Sequence, residues 1–319
     1  MYYAGEEGLT SSLTNFIYWW ETSASTIGYG DLSPQTDLGK WIFNLWVAPG
    51  SLGIYGMLLT KLISSVSMFF QKRNLGMGKF DSLNNHTVII GWQGEPSQRM
   101  ILQLLADRHT DIVLVTKKDM TNPMPDHVNF VKGESLTCDD VHLRSKIRSA
   151  SRVIVFGETD DETMAAGLAA YAQTRTDSTQ VEHIVAYFNK ESSASLFRAH
   201  CPTAEVFVNP SVELMVRACA DPGSTRVSNQ LLNVLEGVTQ YSMTVPGHAA
   251  SQLYGRLQNQ IRQHSGTLLG VASSVTSNDL ILNAPEKHIV ECGNILYYMS
   301  SKRISVDSLD WRDSYYATV

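Results

Sequence analysis

Four cysteines in 319 residues, Cys138, Cys201, Cys219 and Cys292, stand far apart with no C-x-x-C pair among them. A thiolate zinc site and a disulfide framework are thereby excluded, and the thiols read as reduced groups facing a cytosol. The nine histidines include no H-E-x-x-H arrangement, so zinc hydrolase chemistry is excluded as well. Basic runs are missing, the formal charge is -6 and the isoelectric point is near 5.8. Nucleic acid is therefore not the main partner, because phosphate binding needs a basic surface. The opening residues, MYYAGEEGLTSS, have neither a positive n-region nor an apolar h-region, so they are not a signal peptide. Long apolar runs are nearly absent too: a mean hydropathy of -0.11 fits a mostly soluble chain whose membrane portion is a minority of its length.

One run is the exception. From Trp41 to Leu59 no charged residue occurs, close to the ~20 residues that cross a hydrocarbon core. Trp41 and Trp46, with Lys40 at one end and Gln71, Lys72 and Arg73 at the other, fit interfacial anchoring with a cytoplasmic carboxyl end. Before it, Leu13 to Ser25 reads as a short amphipathic helix with Phe16, Trp19 and Trp20 as an aromatic face, too short to span a bilayer.

Between these helices lies TIGYGD, Thr26 to Asp31. A cation that sheds its hydration shell must be offered backbone oxygens instead, so carbonyls must turn inward at successive residues. Gly28 and Gly30 permit the φ values this requires, while Ile27 and Tyr29 point away to pack the segment from behind. The Thr26 hydroxyl supplies a further oxygen layer. Alone, G-Y-G is a common turn; here it is preceded by an aromatic short helix and followed by a membrane-length one.

Beyond NLGMGKFDSLNN, Asn74 to Asn85, a connector of the kind that joins domains, the grammar changes. HTVIIG, DIVLVT, VNFVKG, SRVIVFG, EHIVAYF and AEVFVNP are short strands, separated by helical stretches such as PSQRMILQLLADR and DETMAAGLAAYAQ. That alternation predicts a Rossmann-like α/β domain with a parallel sheet. Pro210 to Glu236 reads as a longer helical stretch interrupted near Asp221, Pro222 and Gly223, and Ser242 to Ile304 as a small α+β lobe. The tail from Val306 is expected to be loosely held. GWQGEPS, Gly91 to Ser97, follows the first strand and opens a helix, which lets backbone amides approach a phosphate. Ser97 stands where a dinucleotide fingerprint has its third glycine, and Thr116, Lys117 and Lys118 stand where an acidic residue usually grips a ribose. Lys117 suits a 2′-phosphate or another anion; a solvated lysine is the plainer reading.

Thr26 to Asp31 resembles the selectivity signature of potassium channels, with isoleucine where valine is common. The resemblance implies that K+ is held by the backbone carbonyls of Thr26, Ile27, Gly28 and Tyr29, with Gly30 closing the filter, and that the flanking segments are the pore helix and the inner helix. Gly50, beside Pro49, falls at the gating hinge of such channels. The family also has an outer helix, which the twelve residues before Leu13 do not supply; this implies a longer subunit or an earlier start. His86 to about Ile304 resembles the RCK, or TrkA-like, domain that regulates potassium conductance. By motif, its nucleotide contacts fall on Gly91, Gln93, Gly94, Thr116, Lys117 and Glu134. Calcium-gated members carry carboxylates where this chain has Phe156, Tyr187 and Asn189, which implies that this calcium site is absent. Glu158, Asp160, Asp161 and Glu162 read as helix-capping acids.

The resemblance implies a pore region over 1–73, a linker over 74–85, a Rossmann-like lobe with crossover helix over 86–240, a carboxyl-terminal lobe over 241–305 and a tail over 306–319. It implies a homotetrameric potassium channel without enzymatic activity. The subunit would sit in lipid of the inner membrane, and its cytoplasmic RCK ring would be gated by a ligand such as NAD(H), ADP or ATP. A soluble TrkA-like regulator of a separate transporter is the alternative, and an NAD-dependent dehydrogenase has only the α/β grammar behind it.

Overall fold

The computed structural model describes residues 1–107, 110–175, 181, 183–235, 237–275 and 277–312. Chain contacts separate it into two units, Met1–Asn74 and Leu75–Val319.

The first unit is helical. A four-residue turn, α1 (Glu7–Thr10), precedes α2 (Leu13–Ala24), which Ser12 caps by accepting the Asn15 N–H. Trp19 is buried between Phe16 and Phe43, with ring centroids 5.7 and 5.8 Å away. A helical run over Asp37–Asn74 is long and apolar enough to cross a membrane. It consists of α3 (Asp37–Ile42), a π-helical turn over Phe43–Val47 and α4 (Ala48–Asn74). Along it Leu45, Trp46, Leu52, Met57 and Leu62 are exposed on this single chain, the reverse of a soluble core helix.

The π turn has a local cause. Pro49 has no N–H, so the helix cannot keep its ordinary ladder there. The bonding instead steps wide one turn earlier, where the Ala48 N–H reaches the Phe43 carbonyl. Gly50, the hinge the resemblance implies, lies within α4, and the π-helical turn occupies Phe43–Val47 just before it.

In the second unit, six strands form one parallel sheet: β1 (Thr87–Ile90), β2 (Ile112–Thr116), β3 (Asn129–Lys132), β4 (Arg152–Val155), β5 (His183–Phe188) and β6 (Glu205–Val208). Their order is β3-β2-β1-β4-β5-β6. The helices between them are α5 (Glu95–Asp107), α6 (Asp139–Arg144), α7 (Asp160–Thr174) and α8 (Glu191–His200). Strands β1 and β2 are buried along their whole length, which is why they read as unbroken β-branched runs rather than alternating ones. The helical stretch after Pro210 divides into α9 (Ser211–Ala220) and α10 (Ser224–Leu232), broken where Gly223 takes a φ of 94°. Its expected end at Glu236 lies outside the described residues.

The last lobe has a four-stranded sheet, ordered β10-β9-β12-β7, and a two-stranded one of β11 and β8. These strands are β7 (Thr239–Thr244), β8 (Gln252–Leu253), β9 (Thr267–Ala272), β10 (Ile281–Leu282), β11 (Ile289–Val290) and β12 (Ile295–Ser300), with α11 (Tyr254–Gln263) packed beside them. The loose tail expected from Val306 is corrected here. Leu309 and Trp311 belong to the lobe's core, the Trp311 indole donates to the Val306 carbonyl at 2.8 Å, and Ala250 N–H donates to Trp311 O. A large aromatic ring that finds an apolar cavity and a hydrogen-bond partner does not stay in solvent. Residues 313–319 lie outside the described residues.

Two histidines are buried in this unit. His86 Nε2 meets the Ser145 carbonyl at 2.9 Å and His142 Nε2 meets the Leu136 carbonyl at 3.1 Å, while both Nδ1 atoms lack a partner. A carbonyl only accepts, so each ring donates from Nε2 and is neutral, and a second proton would bury an unpaired N–H. Burial accordingly holds both pKa values below the ordinary 6.5. The unfolded chain then binds more protons below that pH, so stability is full above it and falls as the solution is acidified. Thermal unfolding of the full chain in detergent is expected to drop by several degrees between about pH 7.5 and about pH 5.5. Replacing both rings, His86→Gln with His142→Gln, flattens that slope.

Candidate functional sites

The segment after α2 has an uncommon backbone. Thr26, Gly28 and Gly30 have φ values of 63°, 53° and 79°, while Ile27 and Tyr29 between them stay on the ordinary side. Successive carbonyls of a strand alternate in direction. Reversing the hand at every second residue undoes that alternation and turns them to one side. The amides are spent elsewhere: Thr26 N–H donates to Ser23 O at 3.2 Å and Gly28 N–H to Thr22 O at 3.0 Å, which satisfies carbonyls left open at the end of α2. Among the described residues no hydrogen bond is accepted by the carbonyls of Thr26, Ile27, Gly28 or Tyr29. The Tyr29 ring stacks on Tyr18 of α2, 6.5 Å between centroids and 5° from parallel, so it braces the segment from the helix side. Ile27 is exposed on the single chain. Thr26 is the surprise, because the left-handed region is costly for a side chain with a branched Cβ.

Glu6 completes this unit, and nothing in the sequence pattern singled it out. It is only 3% exposed. Its carboxylate accepts the Gln35 N–H at 2.9 Å, the Thr36 N–H at 2.8 Å and the Thr36 hydroxyl at 2.7 Å. Thr36 in turn caps α3 by accepting the Gly39 N–H. A Cβ on Gly39 would stand 2.0 Å from Glu6 Oε1, so glycine there is what lets the carboxylate approach the helix start. The signal was present as an acid before α2 and a T-x-x-G after TIGYGD, but their relation spans thirty residues.

The second site is the cleft where the sheet order reverses, at the carboxyl ends of β1, β2 and β4, the usual ligand crevice of such sheets. Gly91 has a φ of 109°, and a Cβ there would lie 2.1 Å from the Phe156 carbonyl, so only glycine fits. Gly94 has a φ of 73°. The Gln93 N–H donates to the hydroxyl of buried Ser97 at 2.9 Å, and the Gln93 side chain donates to the Gly157 carbonyl, tying the first turn to the β4–α7 loop. Ser97 thus takes the place of a third glycine while bracing the loop internally.

Lys117 is exposed, as expected, and also carries an ion pair. Its ammonium lies 3.4 Å from Glu162, and Lys118 lies 2.5 Å from Glu158. Lys118 holds the Glu158 carboxyl below its usual range. Thr159 caps α7, as the acidic cluster suggested, but Asp160 reaches farther and accepts the Asn189 and Lys190 N–H groups at 2.9 and 3.0 Å. Burial pushes that carboxyl up and these donors more than offset it. Lys117 and Glu134 line one cavity of 570 Å³ with Met77, Lys132, Gly133 and Arg144. Thr116 is buried and its carbonyl accepts the Gly133 N–H. Gly91, Gln93 and Gly94 stand on the neighbouring loop rather than in that wall. At the ends of β4, β5 and β6 the Tyr187 ring meets Phe156 edge to face at 5.2 Å and stacks on Phe207 at 5.9 Å, and the Tyr187 hydroxyl donates to Asn189.

A segment of alternating backbone hand and a membrane-length helix thus precede a Rossmann-like α/β domain. Residues 1–68 match the family model described as Ion channel, and the chain is similar to potassium channels. It is 26% identical over 239 residues to the calcium-gated potassium channel TvoK of Thermoplasma volcanium, an alignment covering 72% of this chain and 67% of that one. It is 29% identical over 148 residues to the Bacillus subtilis protein YugO, covering 46% and 43%. Among solved structures, the GsuK channel aligns over 91% of this chain and 52% of its own at 20% identity and a TM-score of 0.43. The GsuK channel bound to NAD aligns over the same shares at 20% identity and 0.39. The chain therefore spans about half the length of those structures.

Proposed function

We propose that the chain is a subunit of a potassium-selective channel, gated by an anionic nucleotide at its Rossmann-like domain. The observation that carries the first half is the alternating hand over Thr26 to Gly30, together with four consecutive carbonyls that accept no hydrogen bond among the described residues; such alternation turns carbonyls to one side. One such strand surrounds only part of an ion, so four copies are required to complete the ring of oxygens that replaces water. The filter is then Thr26, Ile27, Gly28, Tyr29 and Gly30. The exposed apolar side chains of α3 and α4 face lipid and neighbouring subunits in the cell membrane, with the second unit cytoplasmic. The π turn over Phe43–Val47, next to Pro49 and Gly50, is the place where the inner helix bends most readily.

For the second half, the support is the first-turn glycines and the charged cavity beside them. Gly91, Gln93 and Gly94 of the first turn and Thr116, Lys117 and Glu134 beside it take the nucleotide, its phosphates shared between the turn and the charged cavity. A ligand opens or closes the pore only if it binds two states unequally. The test is flux from liposomes carrying the reconstituted full-length subunit. Potassium is expected to pass at least about tenfold faster than sodium, with the rate changing on addition of ADP or NAD. Equal sodium and potassium rates would sink the filter assignment, and a rate indifferent to both nucleotides would sink the gating one.

A further inference from the structure

The connector after α4 is not a free tether. Gly76, with a φ of 72°, places its carbonyl between two donors: the Lys132 N–H at 2.9 Å and the Arg144 guanidinium at 2.7 Å. Met77 forms a single antiparallel bridge with Val131 on the edge of the sheet. Phe80 is buried and donates its N–H to the Arg144 carbonyl, and the Lys146 ammonium holds the Asp81 carbonyl at 2.5 Å. Only Leu75 stands between Gly76 and Asn74, the last residue of α4. A shift at Gly76 therefore reaches the helix end across two Cα–Cα steps, each of about 3.8 Å.

Arg144 belongs to this clamp and to the cavity wall together. It is 9% exposed. Its guanidinium bonds Gly76 O, Lys132 O at 2.6 Å and the Asp140 carboxylate at 2.8 Å, while it lines the cavity with Lys117, Lys132 and Glu134. Two of its partners are neutral carbonyls. A hydrogen bond between two ions is roughly twice as strong as one to a neutral partner, so a phosphate entering the cavity outbids them.

We propose that Arg144 is a positioning residue that couples the ligand to the linker: an anionic nucleotide group in the cavity draws the guanidinium away from Gly76 and releases the connector. This rests on the reading of the cleft as a nucleotide site. Ligand and clamp are then competitors, and linkage makes the competition reciprocal. Releasing the linker by other means must tighten ligand binding by the factor by which the ligand loosens the linker. Gly76→Ala releases it from the far side, because a Cβ there would stand 2.5 Å from Lys132 N and 2.7 Å from Lys132 Cβ, while Arg144, Lys117 and Glu134 keep their own side chains.

The experiment is hydrogen exchange at the Lys132 and Phe80 amides of the full-length subunit in detergent, with and without ADP, together with calorimetric ADP affinity. ADP is expected to speed exchange at both amides. Gly76→Ala is expected to bind ADP more tightly by a factor in the usual coupling range, ~5 to ~150. Arg144→Lys keeps a cation for the phosphate but loses the planar fork; it should still bind ADP while both amides exchange fast in either state, and the tighter ADP binding of Gly76→Ala is the response that a merely structural clamp would not give. If wild type binds ADP but neither amide responds, and both variants bind like wild type, the coupling is wrong and the nucleotide site stands. If neither ADP nor NAD binds wild type, both readings fall.

Discussion

Gly28→Ala is expected to abolish potassium flux while leaving the subunit folded. At a φ of 53° a methyl group meets no other atom of the chain within 4 Å, so nothing in the helical unit is pushed apart. The cost is conformational: an L residue held in the left-handed region costs about 1–2 kcal/mol. In the proposed tetramer, four copies bring that to ~4–8 kcal/mol against the hand that faces the carbonyls inward. At ~1.4 kcal/mol for each factor of ten, this is ample to empty the conducting arrangement, and cheap enough per chain for the fold to survive. Thr26 already carries a similar strain, offset by its own N–H bond to Ser23. Gly8→Ala, in α1 with equally open surroundings and an ordinary φ, is the control and should keep its flux. Flux from liposomes beside a circular dichroism spectrum checks both; a conducting Gly28→Ala variant would remove the carbonyl-ring argument.

Glu6→Ala should destabilise the pore unit more than any other single change near the filter. It deletes three accepted hydrogen bonds at once and strands the Gln35 and Thr36 N–H groups at the start of α3. Hydrogen bonds to a charged acceptor contribute about 1.5–3 kcal/mol each, so a loss of at least ~3 kcal/mol is expected. Glu6→Gln keeps an oxygen but brings an amide N–H against donors, and recovers only part. Burial raises the Glu6 pKa, and the donors of Gln35 and Thr36 outweigh it, so the folded value lies below the ordinary 4.5. The sign follows: Glu6 contributes its full stability above that ordinary value, and the contribution disappears as the pH falls through the folded one. Thermal unfolding of the detergent-solubilised subunit across acidic pH measures it, and a wild type and Glu6→Ala pair that converge in acid is the expected pattern.

The two sites differ in how much of them could be read beforehand. TIGYGD announced itself because glycine at alternate positions is a local instruction, and the helices on either side carry their own periodicity. The six strands of the parallel sheet were equally legible, since strands buried on both faces are written as short β-branched runs. The interrupted crossover stretch was marked by Asp221, Pro222 and Gly223. Lys117 illustrates the opposite case: nothing local to T-K-K says that Glu162, forty-five residues later, would face it. The tail misled for a similar reason, because the polar residues around Trp311 concealed an anchor whose cavity is built by other segments.

By itself, then, the sequence determined a carbonyl-lined turn between an aromatic short helix and a membrane-length one, and a Rossmann-like domain after it, because these follow from φ preferences and hydrophobic period within a few residues. Only the tertiary structure decided that Thr26 shares the left-handed conformation of its glycine neighbours, that Glu6 holds Gln35 and Thr36, that a π-helical turn over Phe43–Val47 precedes Pro49, and that Arg144 grips Gly76. The first and third are backbone responses to hydrogen bonds made or missing elsewhere. The second and fourth join groups thirty and sixty-eight residues apart, a separation over which no local pattern carries information and only the folded chain supplies the partner.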